Sequence, residues 1–349
     1  MRILLVRTDR LGDVILTLPM LPLLRKRFPN AHITLLLKKY TADLVEGNSY
    51  ADELLLYDDG QQLIPFSEML NTIRRKGFDV AIVVHPTPRL AWLMFRAGIP
   101  LRIGTGYRYY SLLFNRRVYE HRKYARRHEL EYNLNLLKEL DCPIQGEPEF
   151  YINIPPDVQE KMDMLLSSLG IDQEKEVIVI HPGSGGSAKE WPPEYFGRLA
   201  ARFQSERGSQ ILVTGAKGEE RKVSEVLIGS KGKAIPLVGR LSLKELSAVA
   251  KRANLFISNS TGPLHIAVAV GTPVVSMFPQ ITAMSAARWG PYTKRKRVLV
   301  PDKPVGCKEC ERRKDLPCAC MMSISVDEVY ESACSLLAEY NEKEIVSHG

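Results

Sequence analysis

Asp13 ends the tetrapeptide Arg10-Leu11-Gly12-Asp13, three residues beyond the short apolar run Arg2–Val6. Gly12 permits a tight turn there. A carboxylate at such a strand-to-helix turn can take a proton from an incoming hydroxyl, and it can equally serve as a plain N-cap. A helix N-terminus favours the charged form and lowers the pKa. A base of this kind would therefore accept its proton late in a reaction.

Three further segments have phosphate or sugar chemistry in them. His181-Pro-Gly-Ser-Gly-Gly-Ser-Ala-Lys189-Glu-Trp191-Pro-Pro follows an apolar run. Its glycines and serines (Ser184, Gly185, Gly186, Ser187) offer uncrowded N–H groups and hydroxyls to phosphate oxygens, and Lys189 adds a positive charge. The stretch is a poor dinucleotide fingerprint, because Pro192 and Pro193 mark the helix start and VTGAKG lacks an acid at its tip. It is not a P-loop either, having Ala188 for the second glycine and Glu190 for Ser/Thr. Ser260-Thr261-Gly262 opens a helix-like run after Leu255–Asn259, which makes an anion site, and His265 lies one turn on along the same face. Glu219, after the strand-like Gln210–Gly215, can accept from sugar hydroxyls or simply favour a first helical turn.

Cys307, Cys310, Cys318 and Cys320 lie within a short loop. They could hold a structural zinc, although Cys-x-Cys is an unusual end for such a site. Redox-sensitive thiols and mere packing are the alternatives.

The elements that must position these groups alternate in type. Arg2–Val6, His32–Leu37, Glu53–Tyr57, Asp79–Val84 and Leu101–Gly104 read as strands. Asp13–Phe28, interrupted by Pro19 and Pro22, reads as a helix, as do Phe66–Lys76 and Arg89–Ala97. A proline-rich break falls near Asp141–Pro156, and the alternation then resumes. Val177–His181, Gln210–Gly215, Ala234–Gly239, Leu255–Asn259 and Pro273–Phe278 are the second set of strands, and Val326–Tyr340 closes the chain as an amphipathic helix. This predicts an α/β protein of two doubly wound parallel-sheet domains, 1–155 and 156–325, followed by a helix over 326–349. Ligands of such domains sit beyond the carboxyl ends of the strands, here in the cleft between the two domains.

With 45% hydrophobic and 25% charged residues, the chain is neither disordered nor low in complexity. Nothing approaches the ~18 apolar residues of a membrane span. The start is too short for a signal-peptide core, so a cytoplasmic location is expected. The net charge of +8 is uneven. Arg102–Arg127 holds eight Lys/Arg against the single acid Glu120, and Lys294–Arg297 is a second basic run. Such runs suit a phosphate-rich partner, an anionic membrane face or an acidic glycolipid, or are simply solvated surface. No recognised nucleic-acid module is present.

RTDRLGDVILTLP, HPGSGGSAKEWP, SNSTGPLHIAVAVGTPVV and RWGP occur in this order over nearly the whole chain. Together they resemble the ADP-heptose:lipopolysaccharide heptosyltransferases, glycosyltransferase family 9. The resemblance implies a GT-B fold, with two facing Rossmann-like domains. It implies an acceptor-binding first domain, a donor-binding second domain, and a last helix able to return to the first. The proton-accepting aspartate then falls on Asp13. The donor pyrophosphate loop falls on Ser184, Gly185, Gly186, Ser187 and Lys189. The nucleotide-ribose glutamate falls on Glu219, with Glu220 possible from spacing. The Asp-Thr-Gly-x-x-His element falls on Ser260, Thr261, Gly262 and His265. Ser260 stands where aspartate is common, removing a negative charge near the donor.

The implied reaction is a single inverting displacement. Asp13 deprotonates an acceptor hydroxyl of the lipopolysaccharide inner core. Arg10 and the basic segment (Arg102, Arg108, Arg116, Arg117, Arg122) anchor that acceptor. Loop amides, Lys189 and the Thr261 helix end stabilise the departing ADP, with no cofactor or divalent metal required. Peripheral association with the inner face of the cytoplasmic membrane is implied as well. The alternatives are a transferase of the same architecture with another nucleotide sugar, a non-hydrolysing sugar-nucleotide epimerase, and a non-catalytic binder of acidic glycolipid.

Overall fold

The computed structural model describes residues 1–172, 174–302 and 318–347, with side chains as far as residue 340. The chain divides into two compact units: residues 1–122 with 126–153, and residues 123–125 with 154–349. The proline-rich break read from sequence lies at this division.

In the first unit, β1 (Arg2–Val6), β2 (His32–Leu37), β3 (Glu53–Leu56), β4 (Val80–Val83), β5 (Leu101–Thr105) and β6 (Arg116–Val118) form one sheet in the order β3-β2-β1-β4-β5-β6. In the second, β7 (Val177–His181), β8 (Gln210–Val213), β9 (Ile235–Pro236), β10 (Leu255–Asn259), β11 (Val274–Met277) and β12 (Lys296–Leu299) form a sheet in the order β12-β11-β10-β7-β8-β9. Counted from its own first strand, each sheet has the same order, 3-2-1-4-5-6, and every described pairing is parallel. The α/β reading therefore holds in both units. The strand order reverses between β1 and β4, where Val6 pairs Val83, and between β7 and β10, where His181 pairs Ser258. Loops leaving these strands are where such sheets take ligands.

The central strands are apolar on both faces because helices cover both. Leu4, Val6, Ala81 and Val83 pack with Ile73, Leu90, Leu93 and Met94 from helices Phe66–Lys76 and Pro88–Arg96. In the second unit Ile178, Ile180, Val275 and Met277 pack with Trp191, Phe196 and Phe203.

Three elements differ from expectation. Asp13–Phe28 is two helices, Leu11–Ile15 and Met20–Arg27. Pro19 becomes the N-cap of the second, and Pro22 falls in its first turn, where a missing N–H costs little. The strands β6 and β12 carry Arg116–Arg117 and Lys296–Arg297, so no apolar run announces them. Both are sheet edges, where charge guards against pairing with another chain. The last helix, Val326–Ser347, buries Val329, Tyr330, Ala333, Leu336 and Leu337 in the core of the second unit.

Candidate active site

β1 ends at Val6, and Arg7 continues its direction, with Arg7 N donating to Leu36 O at 3.1 Å. The Arg7 side chain is buried. Its Nε donates to Asp9 Oδ1 at 2.7 Å, its Nη1 to Asn133 Oδ1 at 3.2 Å, and its Nη2 to Asp13 Oδ1. Glu129 Oε1 lies 3.6 Å from the same Nη2 and also accepts from Arg122. Burying a guanidinium costs several kcal/mol unless it is paired, and here three carboxylates surround it. Asn133, on helix Glu129–Asn135, locks the arrangement by donating to Leu16 O at 2.9 Å.

Burial works against ionising Asp9, but Arg7 and the His85 ring, whose Nδ1 lies 2.7 Å from Asp9 Oδ2, outweigh it. They hold Asp9 well below the usual carboxylate range. Asp13 goes the other way. Burial, reinforced by the charges of Asp9 and Glu129 and opposed by Arg7, pushes it up to about 6. The helix N-terminus alone implies a lowered pKa, so the direction is corrected by burial and neighbouring anions. Asp13 is the third residue of helix Leu11–Ile15 rather than its cap, and 13% of its side chain stays exposed.

The expected acceptor arginines separate into groups. Arg122 belongs to the Asp13 cluster through Glu129 and through Asn133 Oδ1 at 3.2 Å. Arg10, Arg108 and Arg116 are exposed. Arg117 is exposed too, with its Nε on Phe114 O at 3.0 Å. Arg102 is turned to the backbone, donating to Leu113 O at 2.8 Å and to Ile99 O. That use ties β5 to its flanking loops and removes Arg102 from the set of groups open to an acceptor.

In the second unit the loop after β7 meets those after β8 and β10. Gly185 and Gly186 have φ of +55° and +72°, a region other residues rarely adopt. Glu219 reaches this loop, accepting from Gly185 N at 3.3 Å and Ala216 N at 2.9 Å. A Cβ at Gly183 would lie 1.9 Å from Glu219 Oε1, so only glycine lets the carboxylate in. Glu220 is exposed and accepts from Gly218 N, which leaves Glu219 as the glutamate facing the loop. Ser187 Oγ lies 2.7 Å from Ser184 O and 3.1 Å from Ser260 O, joining the loop to the residues before helix Gly262–Ala269. Thr261 is the N-cap of that helix, and its side chain makes no capping bond. Lys189 and His265 are buried in these same two segments.

Sequence reasoning missed the groups that hold the loop. Glu190 accepts from Ser184 N at 2.8 Å and from Lys222 Nζ at 2.6 Å. Asn259 accepts from Trp191 N and donates to Pro182 O, both at 2.7 Å. His181 Nδ1 lies 3.0 Å from Thr214 Oγ1, and burial pushes its pKa down to about 4 despite Glu219 nearby. Each supports the loop from beneath, and short-range spacing gives no sign of it. Of the possible zinc ligands, Cys307 and Cys310 lie outside the described residues. Among the described residues no group of three or more His, Cys, Asp or Glu is placed to hold a metal ion.

Residues 67–318 match the family model for glycosyltransferase family 9 (heptosyltransferase), which is more than half of the chain. The chain belongs to this family. A relative, lipopolysaccharide heptosyltransferase 3 of Escherichia coli K12, is 27% identical over 298 residues, covering 81% of this chain and 83% of that one. The crystal structure of a family 9 glycosyl transferase from Veillonella parvula superimposes with a TM-score of 0.84 at 26% identity, covering 97% of both chains. The E. coli ADP-heptose lipopolysaccharide heptosyltransferase II shares the fold, with a TM-score of 0.80 at 20% identity over 98% of this chain and all of that one.

Proposed function

We propose that this family 9 glycosyltransferase moves a heptose from ADP-heptose to a sugar hydroxyl of the lipopolysaccharide inner core, with inversion at the anomeric carbon. The observation that carries the reading is the Asp13 carboxyl, buried beside Arg7 with its pKa near 6 and still open to solvent on one side. At neutral pH it is mostly ionised, yet basic enough to receive a hydroxyl proton as the new glycosidic bond forms. The acceptor oxygen bonds the anomeric carbon, the bond from that carbon to the ADP phosphate oxygen breaks, ADP departs with the electron pair, and the proton ends on Asp13.

The second unit supplies the donor site. Amides and hydroxyls of Ser184, Gly185, Gly186 and Ser187, together with Lys189 and the N-terminus of helix Gly262–Ala269, take the diphosphate. They stabilise the charge that develops on it during departure. Glu219 accepts from the nucleotide ribose, and His265 donates to a phosphate oxygen. Ser260 in place of a carboxylate keeps this region less negative. Arg122 supports Asp13, and the exposed Arg10, Arg108, Arg116 and Arg117 receive the anionic acceptor. The cations and amides stabilise the leaving group, so the proposed reaction needs neither cofactor nor divalent metal. The named function of the E. coli K12 relative supports the heptose and lipopolysaccharide assignment. Peripheral work at the cytoplasmic membrane face is part of the proposal. No helix among the described residues is long and apolar enough to cross a membrane.

The test is purified protein with ADP-heptose and a deacylated core acceptor. Release of ADP with a product one heptose heavier and an inverted linkage is expected. Turnover with another nucleotide sugar but not with ADP-heptose would reassign the donor.

A further inference from the structure

The first unit carries large exposed apolar side chains that neither the proposed reaction nor its own core uses. On helix Pro88–Arg96, Trp92, Phe95 and Arg96 share one face at i, i+3 and i+4. Trp92 is 42% and Phe95 45% exposed, their rings stacked at 5.7 Å. Arg102 joins this face to the next segment. Its guanidinium lies 5.5 Å from the centre of the Phe95 ring, and its Nε bonds Leu113 O. Leu113 ends the 3-10 helix Tyr109–Leu113, in which residues three apart eclipse. Tyr109 and Leu112 therefore project together, at 79% and 75% exposure. Four large apolar side chains thus stand out of one region of the first unit.

Charge decides what could cover them. Residues 88–122 contain seven arginines against the single acid Glu120. Arg96, Arg108 and Arg116 are exposed, and the Arg96 guanidinium lies 5.6 Å from the centre of the Trp92 ring. Amphipathic aromatic rings beside an excess of cations suit the interface of a bilayer with anionic headgroups. A second copy would bring the same positive charge against itself.

We propose that Trp92, Phe95, Tyr109 and Leu112 insert into an anionic lipid bilayer surface, with Arg96 contacting its headgroups. The insertion is shallow, at the level where headgroups meet acyl chains. It would hold the first unit at the surface where a lipid-linked acceptor resides. The proposal rests on the peripheral membrane work in the proposed function and names the surface that does it; vesicle binding is read without donor or acceptor, so its failure is distinguishable from failure of the transferase reading.

The experiment is co-sedimentation of the full chain with vesicles of phosphatidylcholine alone and with about one third phosphatidylglycerol. Binding is expected to the anionic vesicles and not to the neutral ones, falling steeply with salt. The triple variant Trp92→Ser, Phe95→Ser, Leu112→Ser should lose at least about tenfold in vesicle affinity. It should keep wild-type ADP binding and wild-type transfer to a deacylated, soluble acceptor, which shows that it folds. Arg96→Gln should lose about fivefold on anionic vesicles only. Equal vesicle binding by the triple variant would overturn the proposal, as would no binding by wild type. A wild-type oligomer that the triple variant dissolves, without lipid binding, would make the patch a self-interface and overturn it too.

Discussion

The neighbours of Asp13 disagree about its charge, which suits it to the base's role in the proposed reaction. Arg7 favours the anion, while burial, Asp9 and Glu129 oppose it, and the balance lies near pH 6. Activity is expected to fall on the acid side with an apparent pKa near 6, read from kcat/KM against pH. In Asp9→Asn that limb should move to lower pH, because an opposing anion is gone and Arg7 is freed to pair with Asp13. A limb that stays in place would mean another group controls it. Stability follows the same sign. A carboxyl whose folded pKa is raised above 3.8 binds its proton more tightly when folded. Its contribution is full below pH 4 and is lost as pH rises through about 6. Asp13→Asn should therefore match wild type in melting temperature at pH 4 and exceed it at pH 7, by the equivalent of about 1–3 kcal/mol. The sequence showed Asp13 and its turn. It could not show Asp9, Asn133, Glu129 and His85 around it, because those contacts span from a few to more than a hundred positions.

At the scale of elements, the loop after β7 is held by buried polar groups rather than by its glycines alone. Asn259 is fully buried and satisfies both Trp191 N and Pro182 O. Asn259→Ala would strand two backbone groups, and a loss of about 2–4 kcal/mol in denaturant unfolding is expected. Gly183→Ala should leave the fold intact but push Glu219 out of the loop. ADP affinity measured by calorimetry should drop at least about tenfold, or 1.4 kcal/mol. Unchanged affinity would remove Glu219 from the ribose site. Strand and helix alternation was legible because the central strands are runs of Val, Ile and Leu. The edge strands β6 and β12 were not, because an edge is built from charge and the same arginines and lysines read as loop.

For the whole molecule, two sheets of one topology place a loop-bearing strand end in each unit, and the proposed chemistry divides between them. In that proposal the acid–base group belongs to the first unit and the diphosphate site to the second. ADP at about 100 times its Kd should stabilise the protein by about 2.7 kcal/mol, and Lys189→Ala should lose most of that shift. Chelation with EDTA should leave the transfer rate unchanged; a loss restored by a divalent cation would show that charge on the leaving diphosphate needs a metal. The two-domain order was readable from the proline-rich break near residue 150. The place of the last helix was not, because an amphipathic pattern says which face is buried and not against what.

The central claim is that Asp13 takes the proton, and single-turnover transfer by Asp13→Asn tests it most directly. With saturating ADP-heptose and a soluble core acceptor, the rate is expected to fall by about 10²–10⁴ while donor affinity stays at the wild-type value. An asparagine variant that transfers heptose at a rate near wild type would contradict the account.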